Sequence, residues 1–350
     1  MTGAIRDVPP SLDGSGPDPF LLRLRRAVAG MERMTRNCRR GVARPHPVDR
    51  VVPLVVTEVR PEAADVVSLR LEDPDGRALP AWHPGAHLDV RLPSGRTRQY
   101  SLCGPVAERG HYRIAVRRIP GGAGSAEVHQ LRTGVRISAK GPRNAFPHAG
   151  ERRVLFVAGG IGITPILPMV RSAAARGDDW RLVHTGRDRA SMPFVDEVSE
   201  LDPDRVWIRP DTEFGIPTSG AELLDRAPRG AAVYACGPTP VITGIRLALP
   251  DSPARALHWE RFSAPPIADG RAFTVELARS GRTVEVPADR TALQAIAEVL
   301  PEVAYSCRQG FCGTCHARLL DGEVRRRGRA GGEEVAICVD RAEGTLVLDL

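Results

Sequence analysis

The chain has 350 residues, 42% of them apolar and 26% charged, with a formal net charge of +7. That length suits two or three domains, and the composition is that of an ordinary globular protein rather than a fibrous or disordered one. No apolar run reaches the ~20 residues that a membrane-crossing helix needs, and seven cysteines are too few for a disulfide scaffold. Nearly all of the positive charge is arginine, Lys140 being the one lysine. This reads as composition bias, and no nucleic-acid partner is expected.

Residues 1–19 are rich in Pro, Gly and Asp and read as a disordered lead. They lack the apolar core and cleavage site of a secretory signal, so a cytoplasmic location is expected. "FLLRLRRAVAGMERM" then sets Phe20, Leu21, Leu24, Val28 and Met31 at helical spacing between arginines. This basic amphipathic helix would pack on its own protein, or touch a partner or a membrane surface. Residues 1–50 are thus an N-terminal extension.

From Val51 the texture changes. "VVPLVVTEV", "VVSLRLED", "HLDVRLP", "QYSLCG" and "YRIAVRRI" are short strand-like runs between Pro and Gly turns. Such spacing predicts an antiparallel β-barrel or sandwich over residues 51–149. Residues 150–263 alternate instead. The strand Val154–Ala158 runs into a glycine turn and a helix ending at Gly177, "WRLVHTGR" and "RVWIRP" are strands, and "FVDEVSELD" is helical. "AAVYACGPTPVITGIRLAL" is a strand, turn and helix. Alternation of this kind predicts an α/β domain on a parallel sheet. After the linker "SAPPIADGR", residues 270–350 open with a hairpin around Ser280-Gly281. The helix "TALQAIAEVL" follows, with Asp289 as its expected N-cap, then a cysteine loop and the strand "TLVLDL".

That loop carries Cys307, Cys312 and Cys315, with Cys338 further on. A structural zinc site usually pairs two C-x2-C or C-x2-H knuckles, and only one such pair is present. C-x4-C-x2-C followed by a remote cysteine is the plant-type [2Fe–2S] spacing, in which a loop supplies three thiolates and a distant element the fourth. Gly310 and Gly313 let backbone N–H groups approach the sulfides. Zinc and inert buried thiols are the alternatives. The last eighty residues resemble a plant-type ferredoxin, which implies an α+β β-grasp fold.

"AGGIGITP" joins a strand to a helix but is neither a Rossmann nor a Walker motif. Its helix N-terminus still favours an anionic phosphate. Together with "ACGPTP" it resembles the nicotinamide-nucleotide domain of the ferredoxin-NADP reductase superfamily. That resemblance implies a pyrophosphate and nicotinamide site at Gly159, Gly160, Gly162, Thr164, Cys236, Gly237 and Pro238. Cys236 reads equally as an inert buried thiol. In "HTGRDRA", Arg187 would suit a 2′-phosphate and Asp188 ribose hydroxyls. The two signals conflict, and the reading favours NADH over NADPH.

The superfamily's flavin barrel is marked by R-x-Y-S, which "RQYSL" supplies as Arg98, Tyr100 and Ser101. "VRRIPGGAGS" offers Arg117, Arg118 and a glycine loop ending in Gly124 and Ser125. The order of flavin barrel, nucleotide domain and ferredoxin resembles the phthalate dioxygenase reductase family. "RQYSLCG", "GPRNAFP", "LHWERF" and "ICVDRAEGTLVLDL" support it over residues 51–350. The resemblance implies FMN rather than FAD, with Arg118 and Ser125 at its phosphate. It implies an oxidoreductase carrying electrons from NADH through FMN and a [2Fe–2S] cluster to a separate oxygenase, of Rieske non-haem iron or cytochrome P450 type. A nicotinamide gives two electrons together and most oxygenase metals take them singly, so flavin and cluster bridge the mismatch. The loop at Arg308–Phe311 is then a candidate docking surface for the acceptor. An electron-transfer subunit of another dehydrogenase, a redox sensor with little turnover and a zinc-stabilised protein are the competing readings. The 50-residue extension exceeds what the family pattern requires.

Overall fold

The computed structural model describes residues 51–215, 218–262, 267, 269–305, 308–310, 313–328 and 330–350. The expected helix over residues 20–34, and Cys307 and Cys312, lie outside them.

The first layer is an antiparallel barrel. Its strands are β1 (Val51–Ala63), β2 (Val66–Glu72), β3 (Ala86–Arg91), β4 (Thr97–Ser101), β5 (His111–Arg117) and β6 (Arg136–Asn144). They hydrogen-bond in the order β4-β3-β6-β1-β2-β5, and a bridge between Leu102 and Ile114 draws the two edges together. Period-2 patterning selects the interior. Leu54 and Val56, Leu69 and Leu71, and Leu88 and Val90 point inward and are buried. Each such side chain contributes roughly 1.5–3 kcal/mol of burial free energy. A short helix, α1 (Ala123–Gln130), follows β5.

The second layer is the expected parallel sheet. It contains β7 (Arg153–Gly159), β8 (Asp179–Gly186), β9 (Val206–Pro210), β10 (Ala232–Cys236) and β11 (Ala256–Glu260), in the order β11-β10-β7-β8-β9. Helices α2 (Ile163–Ala175), α3 (Val195–Ser199), α4 (Asp211–Phe214), α5 (Gly220–Leu224) and α6 (Thr239–Ala248) connect it. Strand β10 and nearly all of β7 are buried, as befits central strands covered on both faces. Phe156 and Tyr234 pack with α2 residues in one core; Leu155 and Val233 pack with Leu223 and Ile245 in another. Helix α2 stops where expected. Gly177 is left-handed at φ +68°, its N–H donates to the Ala174 carbonyl, and the Asp178 N–H donates to that of Ala173. The expected helix in "FVDEVSELD" shrinks to the five residues of α3.

The third layer holds β12 (Phe273–Leu277), β13 (Arg282–Val286), α7 (Ala292–Val299), β14 (His316–Asp321), β15 (Val324–Arg325), β16 (Glu334–Ala336), β17 (Arg341–Ala342) and β18 (Thr345–Leu348). Its main sheet runs β13-β12-β18-β14-β16, with the terminal β18 parallel to β12, and α7 packs on it. The hairpin at Gly281 is present. The N-cap is not Asp289. Thr291 takes that role, accepting from the Gln294 N–H while the Gln294 side chain accepts from the Thr291 N–H. A Thr-x-x-Gln box satisfies two free donors at once, and Asp289 lies in the turn before it.

One ionic cluster fastens the barrel to the nucleotide sheet. Arg113 on β5 donates twice to Glu197 on α3, at 2.7 and 3.1 Å, and Arg171 on α2 bonds the same carboxylate. Arg113 also donates to the Cys103 carbonyl at 3.0 Å and lies over the Phe194 ring at 4.7 Å. Burial is the largest influence on Arg113 and opposes its charge, but the bond to Glu197 together with the neighbouring Cys103, Glu197 and Glu62 charges raises the guanidinium above its ordinary value. Replacing Glu197 strands two partly buried cations. Glu197→Gln should therefore lower the thermal unfolding midpoint, with a loss on the order of 2 kcal/mol. An unchanged midpoint would remove the clamp from the account.

Candidate functional site

The strand order of the parallel sheet reverses between β7 and β10, where the chain switches from one side of β7 to the other. Ligands bind at such switch points, outside the carboxyl ends of the strands. The two glycine turns meet there. Ala158 pairs with Cys236, so the residues that follow each strand are neighbours. A Cβ on Gly162 would lie 2.1 Å from the Cys236 carbonyl oxygen, and one on Gly159 would lie 2.6 Å from Pro238 Cδ. Only glycine permits that approach. Gly160 is left-handed at φ +55°, and Thr164 donates to the Ile161 carbonyl. The structure thus brings Gly159, Gly160, Gly162, Thr164, Cys236, Gly237 and Pro238 together, although more than seventy residues separate the two motifs.

At the end of β8, Arg187 is exposed. Asp188 caps a short turn, its Oδ1 accepting from the Ser191 N–H at 2.8 Å. The carboxylate is therefore partly committed to local structure.

A cavity of about 470 Å³ opens beside the switch point. The barrel lines it with Arg98, Tyr100 and Ser101 of β4, and with Arg117 and the loop from Gly121 to Ser125. The nucleotide domain adds Ile161, Thr164, Glu260, Arg261 and Phe262. The third domain adds Tyr305, Arg308 and Gln309. Of the expected flavin contacts, Arg98, Tyr100, Ser101, Gly124 and Ser125 all face the cavity. Arg118 is exposed and does not line it; its neighbour Arg117 does. Successive side chains at a strand end point to opposite sides, so only one of the pair can turn inward. Arg117 also donates to the Ser191 carbonyl at 2.6 Å, tying barrel to nucleotide domain. Ser125 accepts from the Ile119 N–H and donates to the Gly122 carbonyl, holding the glycine loop closed at the start of α1.

Arg98 lies so close to Gly124 that a Cβ there would meet its Nε at 2.7 Å. Burial pulls the Arg98 guanidinium below its ordinary value, and no carboxylate pairs with it among the described residues.

Sequence reasoning passed over three residues. His87 on β3 is 3% exposed, and neither ring nitrogen has a partner. Burial, with the Arg143 charge nearby, pushes it down to about 4, so the ring is neutral. It pairs across the sheet with Ser101, which bears the motif. Glu260 ends β11 opposite Cys236. The residue is only half-buried, but its Oε2 is sealed from solvent without a partner, and burial pushes the carboxyl up to about 8. Burial, then the Glu260 charge, also raises the Cys236 thiol. Both groups are therefore uncharged at neutral pH. Tyr305 lies under the Arg98 guanidinium, 4.4 Å from its ring centroid.

In the third domain, Cys315 and Cys338 are buried, and the Ile337 N–H points to the Cys315 carbonyl. Gly310 and Gly313 are both left-handed at φ +78°. Arg308 and Gln309 line the cavity, with Arg308 also exposed to solvent. Gln309 exchanges side-chain contacts with Arg261, and Thr314 meets Arg143 of the barrel at 3.4 Å.

The donor sets fit the expected groups. Uncompensated arginines, a glycine cradle and an orphaned imidazole suit an anionic, polar-edged flavin. Buried thiols in a glycine loop suit an iron–sulfur cluster.

A family model described as a 2Fe-2S iron-sulfur cluster binding domain matches residues 275–342, and one described as an oxidoreductase FAD-binding domain matches residues 53–148. Phthalate dioxygenase reductase of Burkholderia cepacia is 35% identical over 303 residues, covering 82% of this chain and 94% of that protein. A solved phthalate dioxygenase reductase, described as a modular structure for electron transfer from pyridine nucleotides to [2Fe-2S], superposes with a TM-score of 0.67 at 34% identity. That match covers 86% of this chain and 98% of the other. Full-length CYP116B46 from Tepidiphilus thermophilus matches with a TM-score of 0.63 at 36% identity, over 88% of this chain; the chain spans 44% of that protein.

The raised Glu260 carboxyl has a signed consequence for stability. From about pH 4.5 to about pH 8 the folded state holds a proton that the unfolded state has lost, so stability falls as pH rises, then levels. Glu260→Gln should therefore raise the thermal midpoint relative to the parent chain more at pH 8 than at pH 5. Equal differences at both pH values would show that the carboxyl is not held protonated.

Proposed function

This chain belongs to the phthalate dioxygenase reductase family of flavin and iron–sulfur oxidoreductases, and from that premise we propose that it carries electrons from NADH to a separate terminal oxygenase. The observation that carries the reading is the single cavity walled by all three domains. There the first nucleotide turn, at Ile161 and Thr164, the R-x-Y-S strand and the loop at Arg308 and Gln309 converge. FMN and a [2Fe–2S] cluster, when bound, supply the redox chemistry that takes a hydride and releases single electrons.

The protein's own residues bind, orient and exclude. Gly159, Gly160, Gly162 and Thr164 present the start of α2 to the nucleotide pyrophosphate. Cys236, Gly237 and Pro238 form the floor beside the nicotinamide, and the missing Cβ atoms let that floor close on the first turn. Uncharged Cys236 and Glu260 keep negative charge away from the approaching ring. Tyr100 and Ser101 hold the flavin ring, and His87 offers its neutral imidazole to a polar edge. Arg98, the loop around Gly124 and Ser125, and Arg117 serve the phosphate. Arg118, which the family pattern implies at the phosphate, would need to turn inward to join them. FMN rather than FAD is proposed on the family resemblance. Cys307, Cys312, Cys315 and Cys338 hold the cluster.

NADH is the proposed donor. The free Oδ2 of Asp188 suits a ribose hydroxyl, and Arg187 is the residue that a 2′-phosphate would recruit. The acceptor is proposed as a Rieske non-haem iron oxygenase or a cytochrome P450, in line with the dioxygenase and P450 names among the similar proteins. No described helix is long and apolar enough to cross a membrane, and a cytoplasmic location is proposed.

Purified protein should release FMN, bind iron and sulfide, and reduce cytochrome c faster with NADH than with NADPH. Cys315→Ser should remove the visible absorption of the cluster and cytochrome c reduction, yet leave flavin bleaching by NADH intact. Surviving cytochrome c reduction would mean that electrons leave from the flavin, and would defeat the proposed route.

A further inference from the structure

The cluster loop does more than hold its thiols. Arg308 stands among the cluster cysteines of the sequence, yet its side chain lines the flavin cavity. Its backbone is left-handed, φ +54°, a conformation that non-glycine residues adopt only where the surroundings compel it. Two anchors follow it directly in the chain. Gly310 is pressed against the domain, where a Cβ would meet Val339 at 2.4 Å and Gly328 at 2.8 Å. The Gln309 side-chain amide donates to the Arg261 carbonyl of the nucleotide domain. Just ahead of these fixed points the chain bends at Arg308, which lines the cavity.

There it joins a second cation. The guanidinium groups of Arg98 and Arg308 both lie over the Tyr305 ring, 4.4 and 5.1 Å from its centroid. Neither pairs with a carboxylate among the described residues. Two like charges over one ring repel, and an anion beside them would offset that repulsion. Glu260, the one acid lining the cavity among the described residues, is held protonated and cannot supply that charge.

We propose that Arg308, positioned by Tyr305 and Gln309, is part of the flavin's phosphate site, so that the iron–sulfur domain contributes directly to flavin affinity. The inference rests on the flavin reading above. It makes the ligand loop a shared wall. The segment that holds the cluster also neutralises the cofactor that feeds it.

The test uses full-length protein loaded with its cluster and stripped of flavin, titrated by quenching of flavin fluorescence. FMN and riboflavin are compared, because riboflavin has the same ring without the phosphate. Arg308→Gln should weaken FMN about tenfold, the ratio that roughly 1.4 kcal/mol produces, and leave riboflavin unchanged. Arg308→Lys should recover most of the loss, and cluster absorption should be the same in all three proteins. Raising the salt should weaken FMN more in the parent than in Arg308→Gln. Unaltered FMN affinity, or an equal loss for FMN and riboflavin, would overturn the proposal while leaving the flavin reading standing. A parent protein that binds neither flavin would overturn both.

Discussion

The working geometry depends on one carboxylate. Glu197 takes bonds from Arg113 of the barrel and Arg171 of the nucleotide domain, and so fixes two separately folded layers against each other. Apolar packing joins the same layers, since Val66, Cys103, Ala115 and Phe146 of the barrel share a buried cluster with Phe156, Met169 and Phe194 of the nucleotide domain. Charge-assisted bonds are directional, and the bidentate pairing with Arg113 sets orientation as well as distance. The Arg117 contact with the Ser191 carbonyl acts in the same sense on the other flank. With the angle set, the glycine turns and the R-x-Y-S strand can face a common space.

That space is lined by few charges of negative sign. The Glu260 carboxyl and the His87 ring in its wall, and the Cys236 thiol beside Glu260, have their charge suppressed by burial. Arg98, Arg117, Arg261 and Arg308 line it as well. Such a field favours an anionic occupant and an occupant gaining electrons, for the same electrostatic reason. It also accounts for the tolerance of unsatisfied polar atoms here. Partners missing from the protein are to be supplied by what binds, and Oε2 of Glu260 and both nitrogens of His87 are held ready for it.

Much of this was legible in the chain because local rules carry it. Period-2 burial delimits the barrel strands, apolar runs mark β7 and β10, and Gly159 and Gly162, which allow the close approach to Pro238 and Cys236, sit in the quoted strand-to-helix motif. The failures have local causes too. Asp289 is an acceptable cap in isolation, but Thr291 with Gln294 satisfies two donors and prevails. Arg117 and Arg118 cannot be told apart without the strand register that turns the first inward. His87 looks like any strand residue until Ser101 is seen across from it. Glu260 sits in a string that marks the family but says nothing about its protonation. Tyr305, Arg308 and Gln309 were hidden for a different reason. Their role comes from three domains meeting, and no periodicity within one segment encodes that meeting.

The contact between Gln309 and the Arg261 carbonyl has a consequence for how such chains can be recombined. Proteins built from successive domains invite exchange, with one electron carrier swapped for another. Here the seam between carriers does not run between the domains. It runs through the cavity that all three domains wall, and a grafted C-terminal module would replace Tyr305, Arg308 and Gln309 of that wall. A working chimera must therefore match at the ligand loop, and not merely at the linker.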